Sequence, residues 1–210
     1  MYNWGHMPPF IYNKLDINTD EIANKIFNLK KYWISRSDSF SFYTLGRCAY
    51  LDGKTLSYKT DIKSLNSILQ KNFGNLYDQI IIKLSDQFNE NIYLNSSLAH
   101  PSFHIFESSP FLLTHAGLWH QDCPHITLNL GFNTPYTFTV AIKLPSGGAG
   151  IDYVIDGQQK YLPYKETEMI GHDGNIIHRI SGLKTYVKGE YRITLQGHLI
   201  RLKDRLTMFW

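Results

Sequence analysis

Cysteine is scarce in this chain, charge is nearly balanced, and long apolar runs are missing. Cys48 and Cys123 are its two cysteines. They cannot build a disulfide framework and do not form a CxxC zinc pair, so they read as reduced, partly buried thiols. A net charge of +3, with the Lys and Arg residues spread out, gives no long-range field to steer the chain onto nucleic acid. No segment approaches the roughly 18 uninterrupted apolar residues of a membrane helix. The opening MYNWGHMPPF has no charged start followed by an apolar run. A cytoplasmic protein with neither a membrane nor a nucleic-acid partner is the expectation.

What is present describes a globular protein. Apolar residues make up 43%, aromatics 14% and charged residues 19%, and 210 residues suffice for one sizeable core. No repeat and no low-complexity linker divides the chain, which is therefore read as a single domain over residues 1–210.

The text changes character near residue 95. Before it, helical periodicity dominates. Asn18 or Thr19 can cap a helix whose apolar face is Ile22, Ile26, Leu29 and Trp33. Leu76, Ile80, Leu84 and Phe88 recur every four residues after Gly74-Asn75 and predict a second helix, and Thr60 to Lys71 a short one. Between them SFSFYTLGRCAYL (Ser39 to Leu51) reads as one or two strands.

From about Ser102 strand follows strand: SFHIFE, ITLNLGF, TFTVAIKL, IDYVI, EMIGH, NIIHRI and YRITLQGHLIRL, punctuated by Asn, Asp, Gly and Pro clusters. Seven or eight short strands in about a hundred residues predict a mainly β, α+β fold. It is a sandwich or jelly-roll barrel spanning about residues 96–205, with the helices of residues 1–95 packed on one sheet. The turn signal Asp173-Gly174-Asn175 places His172 and His178 on opposite sides of a hairpin.

The stretch GLWHQDCPH (Gly117 to His125) carries the chemistry. His120 and Asp122 share a face if the segment is extended, because side chains alternate with period two. Two ligands can then converge on one divalent ion, and a distant histidine would close a 2-His-1-carboxylate set. His178, among the apolar residues of NIIHRI, is preferred to His172 beside the turn. His125 is a weaker rival to His120, since Pro124 precedes it and no aspartate stands two positions on. His104 is placed equally well in the barrel interior or in a structural role, and His115, His172 and His198 carry no assignment.

The ordered set His120-x-Asp122, then the Gly147-Gly148 segment, then His178, then Arg192 and Thr194, resembles the Fe(II)/2-oxoglutarate-dependent oxygenases with a double-stranded β-helix fold. The resemblance covers about Phe103 to Leu202. It implies Fe(II) on His120, Asp122 and His178, the far carboxylate of the cosubstrate 2-oxoglutarate on Arg192, a second donor from Thr194, and O2 as oxidant. A guanidinium fork suits a carboxylate because it offers two parallel donors. With an aspartate at position 122 the implied reaction is hydroxylation or a related C–H oxidation of a small molecule, such as an amino acid or a natural-product intermediate. The spacing from His178 to Arg192 exceeds the family's usual ten or so, and SGLKTYVKGE (Ser181 to Glu190) as a longer hairpin would absorb the difference. A cupin-like metalloenzyme without 2-oxoglutarate and a metal-free β-sandwich binding module are the competing readings.

Two further expectations concern less specific segments. Tyr43, Arg47 and Tyr50 pack the helices onto the sheet or line the barrel mouth. The apolar end LTMFW (Leu206 to Trp210) docks on the body or forms a homodimer contact.

Overall fold

Asn18 begins the first helix by accepting a hydrogen bond from the Glu21 backbone N–H at 3.0 Å, satisfying one of the donors a helix start leaves open. The computed structural model describes residues 8–114, 117–131 and 133–210, so the segment MYNWGHM and His115 lie outside it. Strand β1 (Phe10–Lys14) precedes helix α1 (Thr19–Asn28). The helix stops at Asn28, and a 3-10 turn follows. Trp33 is therefore extended and not on the helical face; its indole reaches back to donate to the Ile26 carbonyl.

Strand β2 (Ile34–Ser35) precedes the stretch Ser39 to Leu51 read as strands alone, which instead holds strand β3 (Phe42–Leu45) and the start of the short helix α2 (Ala49–Asp52). The two helices predicted on either side of Gly74 are one. Helix α3 (Leu56–Phe88) kinks at Phe73, whose φ of −128° is not helical, and continues through Gly74. A glycine weakens a helix without ending it when a buried face carries on either side, as Leu69 and Phe73 do before it and Leu76, Tyr77 and Ile80 after it.

Beyond α3 come β4 (Ile92–Leu94), β5 (Ser102–Glu107), the short helices α4 (Phe111–Thr114) and α5 (Pro124–Thr127), and β6 (Tyr136–Lys143). Then follow β7 (Gly150–Ile155), β8 (Gln158–Pro163), β9 (Glu168–Asp173), β10 (Ile177–Ile180), β11 (Tyr191–Leu202) and β12 (Arg205–Phe209). Over its described residues, 126–131, the expected strand ITLNLGF is not formed. Pro124 takes a first-turn helical position, where its missing N–H costs nothing, and the chain coils through Thr127.

Nine strands make one sheet in the order β1-β9-β6-β11-β5-β3-β2, with β12 pairing both β11 and β4. A second sheet has the order β10-β7-β8. β9 and β10 therefore do not form the expected hairpin: the Asp173-Gly174-Asn175 turn carries the chain from one sheet to the other. Residues 181–190 likewise are not a hairpin but the return crossing, held by Leu183 N–H to Leu112 O and Lys184 N–H to Gly147 O. Gly147 is required there, because a Cβ on it would lie 2.1 Å from the Thr185 carbonyl oxygen.

Alternation on β11 sorts the two faces. Ile193, Leu195 and Leu199 join one buried cluster with Ile22 and Ile26 of α1 and Phe73 and Ile80 of α3. Arg192, Thr194, Gln196 and His198 point the other way, toward the second sheet. The apolar end LTMFW is β12 and its continuation. Met208, Phe209 and Trp210 are buried within this chain, so they offer no exposed patch to a second copy. Among the described residues no helix is long and apolar enough to cross a membrane.

Candidate metal centre

Three backbone contacts lay the segment from Gly117 to Asp122 alongside β10. Gly117 N–H donates to Ile180 O, His120 and His178 exchange both of their backbone hydrogen bonds, and Asp122 N–H donates to Gly174 O, all at 2.9 Å. Gly117 permits the approach, since a Cβ there would stand 2.5 Å from the Ile180 side chain. The segment is thus extended, and His120 and Asp122 share a face as the period of two requires.

That face meets His178. The nearest nitrogen and oxygen atoms are 3.9 Å apart for His120 and Asp122 and 3.6 Å for His178 and Asp122, and the three donor atoms lie within 4.8 Å of one another. These spacings are too long for direct hydrogen bonds, so the lone pairs face common space. Each imidazole is oriented by its own chain: His120 Nδ1 donates to the Leu118 carbonyl and His178 Nδ1 to the Ile176 carbonyl, both at 2.8 Å. The proton is fixed on Nδ1, and Nε2 is left as an acceptor, which is the tautomer a metal-ligating histidine needs.

Electrostatics favour the same use. Burial pushes the Asp122 carboxyl up, but the imidazoles of His178, His198 and His172 and a hydrogen bond from Thr137 outweigh it and bring the group to about 2. Burial pushes His178 down to about 4, against the attraction of Asp122. Neutral imidazole and ionised carboxylate at neutral pH are the protonation states in which these groups bind a divalent cation.

Thr137 on β6 and His198 on β11 stand behind the carboxylate. The Thr137 hydroxyl donates to Asp122 Oδ2 at 2.7 Å and accepts from His198 Nδ1 at 3.0 Å. His198 carried no assignment in the sequence, although the alternation Arg192, Thr194, Gln196, His198 puts it on the site's face. His172 packs its ring 4.6 Å from that of His178 while its Nδ1 bonds the Asp173 carbonyl. It borders the site, and the triplet that converges is His120, Asp122 and His178. His125 is buried in α5 and does not line the cavity.

The triplet opens on a cavity of about 710 Å³ between the two sheets. Arg192 lines it and is 4% exposed. Its guanidinium reaches the Gly150 carbonyl at 3.3 Å and lies 5.2 Å from the Tyr164 ring centre, while its Nε is buried without a partner. A buried guanidinium with a free donor is a site for an anion. Thr194 is buried on the same face between Arg192 and Gln196, yet the hydroxyls that line the cavity near Arg192 are those of Thr139, Tyr164 and Ser181. The Ser181 hydroxyl is buried without a partner, and the Tyr164 hydroxyl interacts with both Thr139 and Arg192. None of these three was singled out from the sequence.

His104 lies against the cavity with its Nε2 2.7 Å from the Tyr50 hydroxyl, and Tyr50 lines the mouth. Tyr43 packs against the core, and Arg47 pairs with Asp52 and Asp61. Cys48 is buried, whereas Cys123 is exposed at the cavity and not partly buried as expected. It follows Asp122 out of the extended segment and borders α5, so no sheet covers it.

No family model and no curated protein sequence matches the chain. Solved structures do. An N-substituted L-amino acid dioxygenase from Burkholderia ambifaria superposes with a TM-score of 0.60 at 12% identity, over 96% of this chain and 86% of its own. The non-heme alpha ketoglutarate dependent epimerase SnoN from nogalamycin biosynthesis gives 0.54 at 10% identity, over 92% of this chain and 80% of that one. An oxidoreductase of the 2OG-Fe(II) oxygenase family from Burkholderia pseudomallei gives 0.53 at 9% identity, over 90% and 82%. At such identities the likeness is one of fold.

Proposed function

We propose that residues 1–210 form one Fe(II)/2-oxoglutarate-dependent oxygenase domain acting on a small molecule. One observation carries this reading: a His-Asp-His triplet with pre-set imidazoles and a buried guanidinium with a free donor share one cavity. Either alone has a structural explanation, as a polar cluster or a strand arginine. Together they match the two things such a cofactor pair needs, a facial triad and an anion clamp. The fold shared with the solved oxygenases supports it.

In this reading His120, Asp122 and His178 hold the iron. Arg192 receives the far carboxylate of 2-oxoglutarate, and the hydroxyl support expected of Thr194 falls to Tyr164 and Thr139, with Ser181 beside them. Bound iron with 2-oxoglutarate and O2 supplies the oxidising chemistry, in which the cosubstrate ends as succinate and carbon dioxide and a C–H bond of the substrate is oxidised. The chain's own part is positional. Thr137 and His198 fix the carboxylate, the Leu118 and Ile176 carbonyls fix the imidazoles, and Phe106 and Tyr164 flank the Arg192 guanidinium.

The test is Fe(II)-dependent conversion of 2-oxoglutarate to succinate by the purified chain. Wild type is expected to form succinate and Asp122→Ala is not. Equal succinate from both would overturn the reading.

A further inference from the structure

The cavity holds two side chains of fixed charge among its described lining residues, Asp122 and Arg192. On the function proposed above, both are already used, one by the metal and the other by the cosubstrate. Among the described lining residues no charged side chain then remains for the substrate itself. A free amino acid would bring a carboxylate and an ammonium into this space, and burying each without a partner costs several kcal/mol.

What remains is a wall of rings. Phe42 and Phe106 stack with centroids 4.2 Å apart and planes 2° off parallel, and Phe40 stacks on Phe111 at 4.9 Å and 14°. Phe40 joins the two pairs, lying 6.3 Å from Phe106 at 9°. All four line the cavity, and their planes are nearly aligned, so a flat ring can add to the series by offset stacking. The polar groups left over among the described lining residues carry no fixed charge: the Gln121 and Gln196 amides, the Ser108 and Thr127 hydroxyls, the Cys123 thiol, the His172 imidazole and the Tyr50–His104 pair. Burial holds His104 neutral, with its pKa pushed down to about 3. A cavity of about 710 Å³ is in the range that encloses drug-sized molecules.

We propose that the substrate is an uncharged small molecule carrying a flat aromatic or conjugated ring system, seated against Phe40, Phe42, Phe106 and Phe111. The class excludes free amino acids, which the sequence left open. Neutral hydrogen-bond donors and acceptors on such a molecule match the amides and hydroxyls that the cavity retains.

Calorimetric titration tests this with three probes: 2-naphthol, its saturated counterpart decahydro-2-naphthol, and L-phenylalanine. Each is titrated into the full chain without metal and into the chain loaded anaerobically with Mn(II) and 2-oxoglutarate. The loading step has its own heat, so its failure refutes the oxygenase reading, while the first two probes on the metal-free chain still judge the ring wall. The expected result is that 2-naphthol binds roughly tenfold tighter than its saturated counterpart, the equivalent of one aromatic contact. That preference is lost in a Phe40→Leu, Phe111→Leu double variant whose melting confirms that it is folded, and L-phenylalanine binds the loaded chain weakest of the three. Equal binding of the saturated probe, no binding of 2-naphthol, a preference unchanged in the double variant, or L-phenylalanine as the tightest ligand of the loaded chain would each overturn the proposal.

Discussion

Thr137 joins Asp122 to His198: one hydroxyl donates to the carboxylate at 2.7 Å and accepts from the imidazole at 3.0 Å. The three residues come from the loop before α5, from β6 and from β11, so the carboxylate's position is set by the large sheet, whereas His120 and His178 are tied to the small one. The candidate centre spans the gap between the sheets.

Thr137→Val keeps the shape and removes the hydroxyl. Metal affinity is expected to fall about tenfold to a hundredfold, the usual cost of losing a partner that orients a ligand. Co(II) titration followed by its visible spectrum checks this, and an unchanged affinity would mean that Asp122 is held by other contacts.

Arg192→Met removes the proposed anion clamp without touching the triplet. Charge-assisted hydrogen bonds are worth about 1.5–3 kcal/mol each, so the KM for 2-oxoglutarate should rise about tenfold to a hundredfold while Co(II) affinity stays level. Tyr164→Phe should give a smaller rise in the same direction. Steady-state succinate formation measures both.

Trp210 is buried, with its N–H donating to the Ala99 carbonyl at 2.6 Å, its own carbonyl accepting from Tyr58 and its ring 4.8 Å from that of His104. Trp210→Ala should cost about 3–5 kcal/mol, as large-to-small changes at buried aromatic positions do. Urea unfolding reads the loss.

Acid should destabilise the metal-free chain well above the range where carboxylates titrate. Burial pushes His100 down to about 4 and His104 to about 3. Between these values and the unfolded value of about 6.5, the unfolded chain binds more protons than the folded one, so stability falls as pH falls through that window. The contribution of the carboxylates with lowered pKa, Asp122 and Asp52, is lost only as pH falls below the unfolded value of 3.8, at the bottom of that window. Melting temperatures at pH 7.5, 6 and 5 should therefore descend, and less steeply in His100→Gln.

Much of the candidate site was legible because its signals are local or periodic. The spacing of His120 and Asp122 needs only an extended segment, and the face shared by Arg192 and His198 follows from strand alternation. What escaped depends on the other sheet. Tyr164 and Ser181 sit between or beside strands and reach Arg192's neighbourhood only through the crossing connections, which no periodicity announces. The fold shows the same division. β8 is polar and exposed along most of its length, so no alternation marked it. Pro124 sat in a run of β-formers that a single first-turn proline converts to helix, and the Asp173-Gly174-Asn175 turn has the chemistry of a hairpin whether its strands pair or part.

The most direct test of the central claim is an anaerobic titration of the apoprotein with Fe(II) and 2-oxoglutarate, followed by the weak visible charge-transfer absorption of the chelated 2-oxo acid. It needs no knowledge of the substrate. The band should grow with wild type and be absent from Asp122→Ala and His178→Ala. A band that persists in those variants, or fails to form with wild type, would contradict the assignment of His120, Asp122 and His178 as the iron site.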